Sequence, residues 1–267
     1  MSEDQKKLLE QQLWKIADTL RGKMGADEFR DYILGFIFFK YLSEKIYNYA
    51  NDILANDGIK YDDIKENTKE GEQIIALVKT RALQKLGYFL RPSELFSAIA
   101  EKGNVKLTEE EENADHHGTA ASNFILEDLE AILNNIEQST TGTDSEQDFN
   151  KLFEDLDLNS TKLGRTVKAR NELIAKVLAH LDKIDFKLKD IKADVLGDAY
   201  EYLIGQFASG AGKKAGEFYT PQPVSTVLAK IVTTGKKQIK NAYDPTCGSG
   251  SLLLRIGREA KVAKLAV

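Results

Sequence analysis

The sequence predicts a mainly α protein: an N-terminal helical bundle domain, then the first strand–helix unit of an open, Rossmann-like α/β sheet. Three observations predict it. Apolar residues recur at three- and four-residue steps through the first 208 positions, with no convincing two-residue alternation before residue 240. A glycine- and lysine-rich stretch, Ser209 to Gly216, then breaks the texture. After it a short apolar run, Ile239 to Tyr243, leads into Asp-Pro-Thr-Cys-Gly-Ser-Gly-Ser at 244–251 and a further amphipathic segment. The division is a helical domain over 1–208, a loop over 209–216, and the incomplete start of a second domain over 217–267.

From Ser2, a plausible N-cap, to about Arg21, the residues Leu9, Leu13, Ile16 and Leu20 mark one face of an amphipathic helix. After a break holding Gly22 and Gly25, a longer helix runs from about Asp27 to Leu54. It is apolar on most of its circumference between Tyr32 and Leu42, which suits a central place in a bundle. Asn56-Asp57-Gly58 ends it. Further helices are expected at about 69–86 and 92–102, where Pro92 suits a first turn, and at 119–137, 145–156, 165–182 and 192–208. The acidic, polar stretch Gly103 to Gly118 reads as a surface loop. A helix is expected over Pro223 to Val232, a turn at Thr234-Gly235, and a short buried strand over Ile239 to Tyr243. Trp14 and the Phe36–Phe39 group are most simply core.

Bulk properties bound the function. The chain has 42% hydrophobic and 30% charged residues, as ordinary globular domains do. Its most apolar stretch, Tyr32 to Phe39, ends at Lys40, far short of the roughly 20 residues that span a bilayer. The charged N-terminus has no signal-peptide core, so a cytoplasmic location without membrane is expected. One cysteine, Cys247, excludes a disulfide framework and a thiolate metal cage. Residues 209–267 carry ten Lys/Arg against three acids, a net +7, which leaves −12 on the first 208 residues of a chain whose total is −5. The basic end could face a polyanion, or its lysines could simply solvate helix faces.

The chemistry concentrates in the 244–251 turn. A strand, an acidic residue at its end, a glycine–serine turn and a helix form the unit at which open α/β sheets place a ligand. Gly248 and Gly250 let backbone approach the ligand, and the helix start offers N–H groups to an anion. A P-loop would need Lys-Ser/Thr after the last glycine, where Ser251-Leu252 stands. A dinucleotide fingerprint would need a third glycine, where Leu253 stands. A purely structural strand–helix turn is the bland alternative.

The pattern D-P-x-x-G-x-G-x resembles motif I of the amino-methyltransferases that use S-adenosylmethionine. Gly216-Glu217-Phe218-Tyr219-Thr220-Pro221, ahead of Asp244, resembles motif X of the γ-type adenine methyltransferases. Taken alone, Phe218-Tyr219 could be edge aromatics and Thr220-Pro221 a helix start. Leu13–Gly22, Tyr32–Leu42 and Asp194–Ile204 look like the N-terminal domain of the modification subunit of Type I restriction–modification systems. Over essentially the whole chain, the resemblance implies an adenine-N6 DNA methyltransferase subunit. It implies S-adenosylmethionine as cofactor, held by Glu217, Phe218, Tyr219, Thr220, Pro221, Gln222, Asp244, Pro245, Thr246, Cys247, Gly248, Ser249, Gly250 and Ser251. It also implies DNA, a specificity subunit, a second modification subunit and the motor–nuclease subunit as partners.

Ser251 stands where many relatives have glycine. The Asn-Pro-Pro-Phe/Tyr tetrapeptide that accepts the target amine's hydrogen bonds is absent, as is an acidic residue ending a second strand. No catalytic residue is therefore assigned, and this polypeptide alone is expected to be inactive. His116-His117, in a polar loop without cysteines, read as solvated, so no metal is expected. The competing expectations are a truncated helical interaction module, a methyltransferase acting on protein or RNA, and a helical scaffold with an accidental turn.

Overall fold

The computed structural model describes residues 3–20, 26–104, 124–186, 199, 202–203, 220, 222–236, 239–247 and 250–259. The chain divides into two compact units, Met1–Tyr200 and Glu201–Val267.

The first unit is all helical among the described residues. It contains α1 (Glu3–Leu20), α2 (Ala26–Leu54), α3 (Lys69–Leu86), α4 (Phe96–Asn104), α5 (Phe124–Ser139), the short α6 (Glu146–Phe149) and α7 (Val167–Asp182). Three 3-10 turns connect them, Ala55–Asp57, Tyr61–Asp63 and Pro92–Glu94. α7 packs against α1, α2, α4 and α5, while α2 touches α1, α3, α4 and α7. The core is thus built on two helices that are buried on several sides. Phe36, Ile37 and Phe39 of α2 and Ile174, Val177 and Leu178 of α7 are fully buried. The central role expected for α2 is therefore shared with α7, whose buried Leu173, Ile174, Ala175, Val177, Leu178 and Leu181 leave little of its surface to water.

Helix ends are set by local chemistry. Thr68 and Thr166 cap α3 and α7 by accepting the Gly71 and Ala169 amides at 3.0 and 3.1 Å. Gly58 and Gly87 close α2's 3-10 extension and α3 in the left-handed region. At Gly87 the choice is doubly fixed, because φ is +82° and a Cβ would lie 2.0 Å from Ser145 Oγ. The first turn of α5 is satisfied from another helix: buried Asn171 of α7 accepts the Leu126 amide through Oδ1 at 3.1 Å.

Buried phenols and hydroxyls tie the connections to the helices. Tyr61 Oη donates to Leu90 O (2.6 Å), Tyr88 Oη to Leu42 O (2.8 Å) and Tyr32 Oη to Asp157 O (2.6 Å). Burial pushes the Tyr61 and Tyr88 hydroxyls well above their ordinary range, so both remain donors. The Phe96 amide that opens α4 donates to Ser43 Oγ at 2.7 Å. Around the Pro92 turn, Arg91 pairs with Glu66 (2.8 Å) and Glu72. Glu66 also accepts the Ser93 amide, and Glu94 takes the Arg91 amide and Asn135 Nδ2. Burial alone would raise the Glu66 carboxyl, but these hydrogen bonds outweigh it and hold it below the usual range.

Lys40 ends the apolar run in the sequence, yet it is only 5% exposed. Its Nζ lies 2.7 Å from Glu44 and 3.9 Å from Asp182, over the rings of Phe96 and Phe186. Burial raises the Glu44 carboxyl, against the pull of Lys40 and a hydrogen bond from the Phe186 backbone.

Other expectations need correction. Trp14 is 43% exposed, not core: α1 buries Leu9, Leu13, Ile16 and Ala17, and one residue past Leu13 the helix has turned 100° off that stripe. The helix expected over 145–156 stops at Phe149. Lys151 adopts φ +60°, and the Phe153 amide is taken by Glu137 Oε1 at 3.1 Å, a long-range partner that periodicity cannot show. The 92–102 segment splits into the Pro92 turn and α4, which runs on through Gly103, placed against Ala175. The rest of the expected 103–118 loop lies outside the described residues. So does most of the 192–208 helix, of which Ala199, Tyr202 and Leu203 are helical. No helix of the described residues is long and apolar enough to cross a membrane.

Replacing Lys40 by Met leaves the half-buried Glu44 carboxyl without its cation and is expected to cost somewhat less than the roughly 3 kcal/mol of breaking a fully buried pair. Glu44→Gln should cost less, because Asp182 still faces Lys40; urea titration of both variants checks the asymmetry.

His180 adds a pH dependence. Burial first, then Lys183 and Lys15, hold its imidazole below the ordinary 6.5. The unfolded chain therefore binds the proton more readily, so stability is full above pH 6.5 and declines as pH falls through 6.5 toward the lowered native value. His180→Gln should flatten that decline in thermal melts recorded across this window.

Candidate functional site at the Asp244 turn

The second unit contains α8 (Gln222–Thr233) and α9 (Ser251–Glu259), packed on each other. Pro223 in the first turn suits the start of α8, and Thr234 closes it with its amide on Lys230 O at 3.0 Å. The expected turn follows, with Gly235 at φ +74°.

Residues 239–247 have no regular secondary structure, and no strand occurs among the described residues. The buried strand expected over Ile239 to Tyr243 is not seen as such: Tyr243 is 87% exposed. The physical reason is that a strand exists only by pairing, and the described residues supply no neighbour. The helix expected after the turn does form, beginning at Ser251.

Asp244 folds the turn on itself. Its Oδ1 accepts the Thr246 amide at 2.9 Å and the Thr246 hydroxyl at 3.0 Å, an Asx turn. Its Oδ2 is buried and has no hydrogen-bond partner. A carboxylate oxygen removed from water without a donor is costly, so this atom is where a ligand's N–H or O–H would be most useful. The Gly250 amide then donates to Cys247 O at 2.7 Å, and Gly250 takes φ +74° with open space where a Cβ would stand. Cys247 is exposed and outside any disulfide. Immediately after, the first turn of α9 presents helix-start amides.

Of the residues singled out in the sequence, Asp244, Pro245, Thr246, Cys247 and Gly250 are brought together in this turn, and Ser251 opens α9. Thr220 and Gln222 lie at the start of α8. Glu217, Phe218, Tyr219, Pro221, Gly248 and Ser249 lie outside the described residues. No group of metal-ligating residues occurs among the described residues, and His116-His117 fall outside them.

The donors and acceptors fit the amino-acid end of S-adenosylmethionine. An ammonium could satisfy Asp244 Oδ2, and a carboxylate suits helix-start amides. A shallow depression in the first unit, bordered by Glu137, Thr140, Thr143, Asp144 and Glu146, is a poorer candidate. Two of its three carboxylates already hold backbone amides, Glu146 accepting that of Gly142 at 2.7 Å and Glu137 that of Phe153.

Comparison with known proteins matches residues 9–181 to the HsdM N-terminal domain family and residues 191–264 to the N-6 DNA Methylase family. The chain belongs to the methylase subunits of Type I restriction–modification systems. It is 34% identical over 256 residues to the Type I restriction enzyme MpnII methylase subunit of Mycoplasma pneumoniae, covering 95% of this chain and 44% of that protein. It is 24% identical to the MjaIX methylase subunit of Methanocaldococcus jannaschii, over 92% of this chain and 38% of that protein. A crystal structure of the type I restriction-modification system methyltransferase subunit from Streptococcus thermophilus superposes with a TM-score of 0.71 at 35% identity, covering 96% of this chain and 50% of that one. The chain thus spans about half the length of the relatives it matches.

The sequence reading missed two groups with large roles: buried Lys40 and the interhelix cap Asn171. Neither has a local signal, since both act through residues on other helices.

Proposed function

We propose that this methylase-subunit chain holds S-adenosylmethionine at the Asp244 turn and serves adenine-N6 methylation of DNA together with a specificity subunit, a second modification subunit and the motor–nuclease subunit. The observation that carries the reading is the buried, unpartnered Asp244 Oδ2 beside a positive-φ glycine facing open space. The family membership supplies the reaction class. When bound, the cofactor supplies the transferable methyl group. The chain's own part is to bind and orient: Asp244 accepts hydrogen bonds, Thr246 fixes that carboxylate, and Gly248 to Ser251 let backbone amides approach. Glu217 to Gln222 line the same cofactor through the segment leading into α8.

No catalytic residue is proposed within these 267 residues, because they contain no Asn-Pro-Pro-Phe/Tyr. The target adenine would be flipped from the duplex against residues on further polypeptide. Recognition of the DNA site belongs to the specificity subunit.

Isothermal calorimetry tests the reading. The chain should bind S-adenosylmethionine, and Asp244→Ala should weaken binding by at least about tenfold, the value of one charge-assisted hydrogen bond. Methyl transfer to DNA by the chain alone should be undetectable. Capture of a specificity subunit without any cofactor binding would instead favour a helical interaction module.

A further inference from the structure

A cationic ridge interrupts an otherwise acidic helical unit. The first 208 residues carry a net charge of −12, yet the 14 residues from Leu158 to Asn171 hold Lys162, Arg165, Lys168 and Arg170 and no acid. Lys162, Arg165 and Lys168 are exposed, and Arg170 is partly so. Another acid-free run, residues 73–93, also has four cations, but three of them already act within the fold. Arg91 is held by Glu66 and Glu72, Lys79 lies over the Phe89 ring, and Lys85 complements the C-terminal end of α3. On the ridge, none of Arg165, Lys168 and Arg170 pairs with a carboxylate among the described residues.

The placement of these charges works against the helix they adjoin. Thr166 caps α7, so Lys168 stands in a first turn that contains no acid, with Arg165 and Arg170 on either side. A helix start favours negative charge, and three cations there are opposed by the helix dipole and by one another. The loop that carries them is nonetheless pinned. Leu163 is fully buried, and a Cβ on Gly164 would lie 2.9 Å from the Ala169 Cβ and the Arg170 backbone nitrogen. Arg170 Nη1 donates to Gly164 O at 3.2 Å, which ties the loop to the helix. Cations held in place this way lose little freedom when a polyanion arrives.

The chemistry of the ridge selects among polyanions. Exposed Asn159 and Thr161 add neutral donors beside the cations, the mixture that contacts phosphate oxygens. A protein partner is anchored largely by aromatic side chains in buried pockets, and residues 158–171 contain no aromatic side chain.

We propose that the Lys162–Arg170 ridge is a phosphate-contacting surface that grips duplex DNA without reading its sequence. The identity of the polyanion rests on the DNA-methylation reading above, but the ridge belongs to the helical unit and uses none of the cofactor-turn residues. Contacts of this kind fix where a duplex runs and leave recognition of bases to other surfaces.

The test is fluorescence anisotropy of a labelled duplex of arbitrary sequence, with the 267-residue chain and no methyl donor. The native chain should bind, with affinity falling steeply over roughly 50 to 200 mM salt. Arg165→Glu/Lys168→Glu should weaken binding at low salt at least about tenfold and shrink the slope of log K against log salt by about two. Because this variant places acids at a helix start, its melting temperature should not fall, which separates loss of contacts from loss of fold. Arg165→Gln/Lys168→Gln, which removes the charges without reversing them, should show the same loss of slope. Asp244→Ala should bind the duplex as the native chain does, so failure here and failure of the cofactor reading are told apart. A native chain that does not bind the duplex at low salt overturns the proposal, as does an unchanged slope in the glutamine variant. Binding that survives on the ridge variants and is lost in Lys236→Glu/Lys240→Glu would move the contact to the second unit. Polyglutamate that displaces the duplex as readily as unlabelled DNA does would assign the ridge to an acidic protein and equally overturn it.

Discussion

A polar atom taken out of water must find a partner, and an apolar face must find a cover; the organisation of this chain follows from where those two demands are met. In the helical unit they are met largely by partners on other helices, although Gln12 Oε1, Arg170 Nε, Asn171 Nδ2 and His180 Nδ1 stay buried without a hydrogen bond. Asn171 accepts an amide of α5's open first turn through Oδ1, Ser43 accepts the first amide of α4 through its hydroxyl, and three tyrosine hydroxyls reach carbonyls far away in sequence. Each bond is worth little net, yet leaving its partner bare in the core would be expensive. These contacts therefore specify how α2, α4, α5 and α7 are joined, while the apolar area supplies most of the driving force.

Lys40 shows the same constraint under charge. A lysine inside a core is tolerable only with carboxylates and aromatic faces around it, and Glu44, Asp182, Phe96 and Phe186 provide them from α2, α4 and the end of α7 and just past it.

In the second unit two such demands stand open. Asp244 uses one oxygen to shape its own turn and keeps the other buried without a donor, while α8 shows five aliphatic side chains to solvent. The first opening suits a small zwitterionic ligand.

Most helices were legible in the sequence because their signals are local. A stripe such as Leu9, Leu13 and Ile16 and the Asn56-Asp57-Gly58 stop act within a few residues, so α1, α2, α3, α7 and α8 fall within a residue or two of their expected limits. The Asp-Pro-Thr-Cys-Gly-Ser-Gly-Ser turn was legible for the same reason, since the Asp244–Thr246 bonds and the Gly250 backbone are set by immediate neighbours. Tertiary structure alone decided the rest. It decided that Glu137 would end α6 early by taking the Phe153 amide, that Trp14 would miss the core by one position, and that Lys40 would go inside. It also left Ile239 to Tyr243 without a strand. Each of these depends on a partner distant in sequence, and a linear pattern records what a residue can offer but not which neighbour arrives to accept it.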